Sequence, residues 1–169
     1  MERQDMGVRE VKSGISVVAV IERLALREFR TIRASRSFGF DWMQYRSLEV
    51  YKLKILPDNT IAGLICLIDH SVEAENAIEI ECLEVSKENV GASKRFDGIA
   101  GSLIAFACRE SFKRGHEGFV FLRPKTGLIQ HYTEAYGFRH FPLKTVSRPE
   151  GIMVADGRAA ANLIKLFLE

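Results

Sequence analysis

Hydrophobic and polar residues follow successive patterns along the chain. Residues 15–34 carry apolar side chains at three- and four-residue spacing, which predicts one or two helices, and residues 35–46 predict irregular chain or a short helix. From Leu48 the apolar and polar positions alternate, which predicts a strand that ends at a turn around Pro57. Residues 60–70 and 77–85 predict two more strands separated by a turn around Glu75, so the three strands form an antiparallel meander.

The second half of the chain predicts alternating helices and strands. A helix follows residue 98 and ends at Gly115, a short strand occupies residues 118–124, and Thr126 caps a second helix that Gly137 ends. Residues 150–157 predict a last strand and residues 158–169 a closing amphipathic helix. This order predicts an α/β or α+β fold in a single domain over residues 1–169, with a mixed, mostly antiparallel sheet flanked by helices.

Composition narrows the classes of function. The 24 Lys and Arg residues against 22 Asp and Glu leave a formal net charge of +2, which is far from the basic field typical of nucleic-acid binders. Cys66, Cys82 and Cys108 lie in apolar segments at no metal-ligand spacing. The charged N-terminus is unlike a secretory leader, and no apolar run is long enough to span a membrane. We therefore expect a cytoplasmic protein with no nucleic-acid or membrane partner and no bound metal.

Residues 93–102, SKRFDGIAGS, combine two cations with three small residues at the predicted start of a helix. Such a turn presents unpaired backbone N–H groups and the positive end of the helix dipole, which together bind phosphate. Small residues at this place also let a helix pack closely against a sheet. Both interpretations stay open from the residues alone.

Two motifs around this turn resemble the GNAT family of N-acetyltransferases. Residues 95–100, RFDGIA, match the family's Arg/Gln-x-x-Gly-x-Gly/Ala signature, and residues 131–141, HYTEAYGFRHF, resemble its aromatic-rich helix that ends in Gly-Phe. The resemblance implies the GNAT fold and transfer of an acetyl group from acetyl-CoA to an amine in a direct ternary complex. It also implies that acetyl-CoA contacts the preceding strand, the signature and the next helix start, at Leu83, Val85, Arg95, Phe96, Asp97, Gly98, Ile99, Ala100, Gly101, Ser102 and Thr126.

The strand before the signature carries candidate catalytic carboxylates. Glu79 and Glu81 share parity, so both face one side of the strand, whereas Glu84 has the opposite parity unless a bulge intervenes. A half-buried carboxylate can accept a proton from an ammonium, but an ordinary solvated strand face has the same pattern. The resemblance places a base at Glu79 or Glu81, and it places an acid near Tyr132, which could equally be a core aromatic residue.

Three departures from the family pattern support a rival hypothesis, and the first is that the position of the family's tyrosine falls on Thr133, one residue after Tyr132. Asp97 puts a carboxylate where a diphosphate would bind, unless it points away and caps the helix, and Thr126 replaces a common asparagine. The alternative is a non-catalytic GNAT-like module that binds CoA or regulates another protein. For the enzyme, we expect a small-molecule or peptide amine as acceptor, with residues 33–47 forming one wall of its site, and the resemblance implies a homodimer as one assembly state.

Overall fold

The computed structural model describes residues 7–56, 58–71, 76–124, 126–142 and 144–169. Its strands are β1 (Arg9–Glu10), β2 (Ala19–Arg23), β3 (Glu49–Ile55), β4 (Thr60–His70), β5 (Ala77–Val85), β6 (Phe96–Asp97), β7 (Val120–Leu122), β8 (Arg139–Phe141) and β9 (Ile152–Ala155). Its α-helices are α1 (Glu28–Ser35), α2 (Ile99–Lys113), α3 (Ile129–Tyr136) and α4 (Gly157–Leu168), and short 3₁₀-helices occupy Trp42–Tyr45, Lys87–Asn89 and Thr126–Leu128.

Seven strands form one sheet in the order β2-β3-β4-β5-β7-β9-β8, and β1 pairs with β6 beside it. The sheet is antiparallel throughout except between β5 and β7, which run parallel because α2 crosses over between them. The predicted mixed, mostly antiparallel sheet with flanking helices is therefore confirmed.

Two apolar clusters cover the two faces of the sheet. The larger cluster joins the inward side chains of the sheet to α2 and α4, and the smaller one joins α1 and Trp42 to the opposite face of β3 and β4. Because α2 packs between the sheet and α4, ten of its residues are buried. No helix in the described ranges is long and apolar enough to cross a membrane.

Residues 19–23 form an edge strand, so the helix predicted from residue 15 onward is wrong in its first part. Ala19 and Val20 are fully buried against β3, and the Glu22 carboxylate pairs with Lys52 at 3.3 Å and with Lys54 at 2.8 Å across the strands. These cross-strand ion pairs stabilise the strand but leave no signal in the local periodicity.

Two further details differ from the prediction. Helix α3 begins at Ile129 after a 3₁₀ turn, with Leu128 at its N-cap, so Thr126 is not the cap residue. Strand β8 was not predicted, because its three residues carry little pattern of their own. The predicted turn residues Pro57 and Glu75 lie outside the described residues.

Candidate active site

Strands β5 and β7 lie side by side for only part of their length. Within the described residues their pairing ends where Ile80 lies opposite Leu122, although β5 continues to Val85. The gap holds a cavity of about 230 Å³ between the sheet, α3 and the chain before β3. Its lining consists of Phe40, Tyr45, Ile80, Glu81, Cys82, Leu83, Leu122, Arg123, Pro124, Leu128 and Tyr132.

A β-bulge at Glu81 changes which way the end of β5 faces. In the pairing with β4, Ile80 lies opposite Leu67 and Cys82 opposite Cys66, so Glu81 is the extra residue. Side chains beyond the bulge therefore change sides: Leu83 packs on the α2 side of the sheet, and Cys82 on the α1 side. Glu84 therefore lies on the α1 side of the sheet. From its parity in the sequence, this side was expected only if a bulge intervened.

The bulge also turns main-chain groups of β5 toward the gap. Ser86 donates its N–H to the Ala62 carbonyl at 2.9 Å, on the β4 side of the strand. Because main-chain groups alternate between the two edges of a strand, those of Leu83 and Val85 point away from β4, toward the open edge. These are the two strand positions predicted to contact acetyl-CoA, and an extended ligand can pair with them as an added strand would.

Arg123 joins the two candidate base residues. Its guanidinium lies 3.2 Å from Glu79 through Nε and 2.7 Å from Glu81 through Nη2. Glu79 is 7% exposed and also contacts His70 Nε2 at 2.9 Å, whereas Glu81 lines the cavity. The predicted shared face of the two carboxylates is thus observed, but only Glu81 borders the space in the gap. Arg123 thus contacts both carboxylates at once.

Two tyrosine hydroxyls border the same cavity. Burial raises the pKa of Tyr132 above its ordinary value of 10.0, and burial together with the neighbouring Cys82 thiol raises the pKa of Tyr45 to about 12. Both side chains are therefore protonated hydrogen-bond donors at neutral pH. Tyr136, one turn further along α3, lies outside this cavity and packs 6.4 Å from the Phe167 ring instead.

The signature loop leads into the N-terminus of α2. Gly98 has φ +85°, and the first hydrogen bond of the helix runs from the Ser102 N–H to the Gly98 carbonyl at 3.0 Å. By helix geometry the N–H groups of Ile99, Ala100 and Gly101 have no acceptor within the helix. The turn thus has the backbone geometry of a phosphate cradle.

An aspartate already occupies part of this cradle. The Asp97 carboxylate accepts hydrogen bonds from Lys94 Nζ at 2.9 Å and from the Gly98 N–H at 3.0 Å. The bond from Lys94, reinforced by the one from Gly98, holds the Asp97 pKa below its ordinary value. At neutral pH the residue is therefore a carboxylate beside the helix N-terminus, although it accepts no N–H of the first helical turn.

The two ends of the described chain pack on this turn. A side chain on Gly98 would lie 1.9 Å from the Gly7 carbonyl oxygen, and one on Gly101 would lie 2.2 Å from the Phe167 ring. Gly7 in turn donates its N–H to the Phe167 carbonyl at 2.7 Å. The two glycines are thus required for close packing of the termini, so the packing interpretation of the small residues holds along with the cradle geometry.

The remaining predicted contacts of the signature differ in accessibility. Phe96, Ile99 and Ser102 are buried, and no described residue bonds the Ser102 hydroxyl, so these side chains belong to the core. The predicted hydroxyl contact from Ser102 is therefore not available at the surface. Arg95 is exposed, with its guanidinium 4.9 Å from the centre of the Phe96 ring. Thr126 begins a 3₁₀ turn, and its side chain lies outside what the structure describes.

These residues fit the two ends of acetyl-CoA unequally. The open edge at Leu83 and Val85 and the cavity beyond it suit a slender thioester arm. The cradle offers three N–H groups to a diphosphate, but the Gly98 N–H becomes free only if the Asp97 side chain, which is 65% exposed, turns away. The thioester arm therefore fits the site as it stands, whereas the diphosphate fits only after the Asp97 side chain rotates.

Sequence reasoning missed several residues of the cavity. Arg123 follows β7 directly, and the parallel register that places Leu122 opposite Ile80 brings it beside Glu81. Recognising a parallel pair here would have located it. Phe40 and Tyr45 come from the segment predicted as an acceptor wall, but its irregular pattern did not indicate which side chains face inward. No group of three or more His, Cys, Asp or Glu residues in the described ranges is arranged to hold a metal ion.

Comparison with known proteins gives structural matches only. No protein-family model and no curated protein sequence matches the chain. Among solved structures, AtaTR bound with AcCoA is similar at 16% identity and a TM-score of 0.55, over 86% of this chain and 98% of that one.

Two further crystal structures give similar values. The spermidine/spermine N-acetyltransferase SpeG from Vibrio cholerae, in mutant form, is 15% identical with a TM-score of 0.57, over 85% and 96% of the two chains. A GNAT-family acetyltransferase from Listeria monocytogenes is 14% identical with a TM-score of 0.57, over 90% and 97%. Together with the sheet order and the split between β5 and β7, these matches show that the chain has the fold of the GNAT N-acetyltransferases.

Proposed function

We propose that the protein transfers an acetyl group from acetyl-CoA to an amine in a direct ternary complex. The observation that carries the proposal is the gap between β5 and β7, which combines an open strand edge with a cavity that contains one carboxylate and two tyrosine hydroxyls. The fold supports the same activity, since it is shared with acetyltransferases. Fold likeness alone does not carry function, so the site residues are the main support.

Each residue of the cavity has a role in this mechanism. Glu81 accepts a proton from the acceptor ammonium, directly or through a water molecule, so that the free amine can attack the thioester carbon. The Leu83 N–H donates a hydrogen bond to the thioester oxygen as negative charge develops on it. As the carbon–sulfur bond breaks, the Tyr132 hydroxyl gives its proton to the departing sulfur and regains one from the attacking nitrogen, so the products are an amide and a thiol.

Arg123 and Glu79 support Glu81 in this scheme. The guanidinium fixes the orientation of Glu81 through the 2.7 Å contact. Glu79 is buried, is bound to both Arg123 and His70, and does not line the cavity. Of the two candidate bases we therefore assign Glu81 as the proton acceptor and Glu79 as the group that orients Arg123.

We propose a small-molecule or peptide amine as the acceptor. Glu81 can accept a hydrogen bond from an ammonium group while Arg123 holds it in place, and the net charge of +2 gives only weak general attraction to a polyanion. Similar folds act on different acceptors: SpeG is a spermidine/spermine N-acetyltransferase, and AtaT has been crystallised with acetyl-methionyl-tRNAfMet. Fold likeness therefore leaves the acceptor to experiment.

Thiol release from acetyl-CoA in the presence of amines tests the proposal. The panel contains spermidine, lysine and a short peptide with a free α-amine, and Glu81→Gln is compared with Glu134→Gln, an exposed glutamate that bonds only Gln130 among the described residues. We expect amine-dependent release by the wild type, a loss of about 100-fold or more in kcat for Glu81→Gln, and no change for Glu134→Gln. Full activity of Glu81→Gln would reject its role as base.

The second candidate function is a non-catalytic module that binds CoA without turnover. The observation in its favour is that charged partners already satisfy both Glu81 and Asp97. Calorimetric binding of CoA combined with no thiol release for any amine of the panel would support this alternative. The absence of binding at millimolar acetyl-CoA and low salt would contradict both functions.

A further inference from the structure

The carboxylate of Glu84 is bound to the loop on the acceptor side of the cavity. It accepts the Gly39 N–H on Oε2, the Phe40 N–H at 3.1 Å on Oε1, and the indole N–H of Trp42 at 2.8 Å on Oε1. The three donors come from four consecutive residues that lie more than 40 positions away in sequence. One side chain of β5 therefore organises this segment.

The same loop supplies one wall of the cavity. Phe40 and Tyr45 line the space beside Glu81. Phe40 is one of the residues that Glu84 binds, and Tyr45 comes shortly after them in the chain. At the outer end of the loop, the Lys87 N–H donates to the Ser37 carbonyl at 2.9 Å, and the Ser37 hydroxyl donates to Glu88 at 3.0 Å. Those outer contacts are made at Ser37, whereas Glu84 contacts the residues that lead into the cavity.

The contact between Glu84 and the loop is close and specific. Trp42 is 2% exposed within the smaller apolar cluster, so its indole N–H has little access to water as a substitute partner. A side chain on Gly39 would lie 3.3 Å from Glu84 Oε2, which shows how closely the loop backbone approaches the carboxylate. A carboxylate offers two acceptor oxygens to the three donors, and no neutral side chain of the same shape does.

We propose that Glu84 is a positioning residue that fixes the acceptor wall against the donor strand. The inference rests on the proposed acetyl transfer and deepens it. Glu84 lies between Leu83 and Val85, whose main-chain groups face the donor edge, while its own side chain holds the wall that carries Phe40 and Tyr45. One residue thus fixes the wall against which the acceptor amine binds, so we expect a looser wall to weaken the binding of the amine.

The Glu84→Gln variant tests this role, because the amide keeps the size of the side chain but turns an NH₂ group toward at least one of the three donors. Glu88→Gln is the matched control: it is an exposed carboxylate that bonds the same loop at Ser37. Trp42 is the single tryptophan of the sequence, so its indole N–H gives one resonance that reports the contact directly. We expect this resonance to move upfield and its hydrogen exchange to accelerate in Glu84→Gln, with neither change in Glu88→Gln.

Kinetics provide the second reading. With the panel amine that gives the highest kcat/KM, we expect the amine KM of Glu84→Gln to rise about tenfold, as for loss of a hydrogen bond to a charged group, while the dissociation constant of acetyl-CoA stays unchanged. An equal rise in both constants, or an unchanged amine KM, would overturn the positioning role.

The two readings separate this inference from the proposed function. Absence of turnover in the wild type contradicts the proposed function, whereas an unchanged indole resonance and exchange rate in Glu84→Gln contradict the role of Glu84 whatever the activity. If Glu84→Gln does not fold, Trp42→Phe provides the test, because it removes one donor and leaves the carboxylate in place. An unchanged amine KM in folded Trp42→Phe would then overturn the inference.

Discussion

The two ends of the candidate acetyl-CoA site are built in opposite ways. At the gap between β5 and β7, main-chain groups of Leu83 and Val85 face an open edge beside a cavity of about 230 Å³. At the start of α2, by contrast, the Gly98 N–H is bound by Asp97, and the chain termini pack on Gly98 and Gly101. The strand edge offers main-chain hydrogen-bonding groups to a ligand. At the helix start, the protein's own groups already make much of the hydrogen bonding.

The small residues of the signature have two roles, access for a phosphate and close packing of the protein's own chain. Small residues in the signature allow a phosphate to approach, but here the same residues are needed for contact with Gly7 and Phe167. We therefore expect the arm of acetyl-CoA to provide most of its affinity and the diphosphate to provide little. Variants at the helix start and in the cavity test whether the two regions differ in this way.

The largest effect is expected for Gly98→Ala on stability. Alanine at φ +85° is strained by about 1–2 kcal/mol, and its side chain would also meet the Gly7 carbonyl, so we expect a loss of about 3 kcal/mol or more in the free energy of unfolding. Denaturant unfolding measures it. Gly91→Ala is the matched control, because Gly91 has φ +78° with no atom within 4 Å, and we expect it to cost about 1 kcal/mol. Equal losses for the two variants would show that the terminus does not pack on Gly98.

Asp97→Asn is expected to strengthen the binding of acetyl-CoA. Removing the negative charge frees the Gly98 N–H more readily and ends repulsion of the diphosphate, so we expect the dissociation constant to fall about tenfold. Binding of S-acetylpantetheine, which lacks the diphosphate, should not change. Calorimetry with both ligands measures the difference, and an unchanged affinity for acetyl-CoA would mean that Asp97 already points away from the bound diphosphate.

Tyr132→Phe is expected to lower kcat by about tenfold, less than most acid–base residues contribute, because a thiolate is already a stable leaving group. Tyr136→Phe is the control on the same helix, and we expect it to have no effect because Tyr136 lies outside the cavity. Equal rates for both variants and the wild type would remove Tyr132 from the mechanism.

The pH profile of the wild type gives a smaller, related effect. Burial raises the pKa of Tyr132 above 10.0, so its hydroxyl keeps the proton as pH rises and loses it only at pH values above that. We therefore expect no alkaline decline of kcat that depends on Tyr132 below about pH 10. A decline between pH 8 and 9 that is absent in Tyr132→Phe would contradict the raised pKa.

The sequence predicted the parts of the fold that depend on local pattern. Local hydrophobic patterns located β3, β4 and β5, and Gly137 ends α3 with φ +73° as expected of a C-terminal glycine. Strand β2 was missed because its stability comes from Glu22 pairing with lysines on β3, a contact between residues about 30 positions apart. Long-range pairs of this kind have no periodicity to detect.

The site was predictable to a similar extent. Parity placed Glu79 and Glu81 on one face, and both do contact Arg123. The bulge at Glu81 could not be derived, because it depends on how β5 pairs with β4, and it decides that Glu84 faces the acceptor loop. The packing of Gly7 and Phe167 on the signature was equally hidden, since it joins residues from opposite ends of the chain.

Calorimetric titration of the wild type with acetyl-CoA and with S-acetylpantetheine tests directly whether the gap between β5 and β7 is the donor site. If the gap between β5 and β7 is the donor site, both ligands bind, and loss of the nucleotide weakens binding by no more than about tenfold, or 1.4 kcal/mol. The assignment of the donor site to this gap is contradicted if neither ligand binds at millimolar concentration, or if acetyl-CoA binds while S-acetylpantetheine does not.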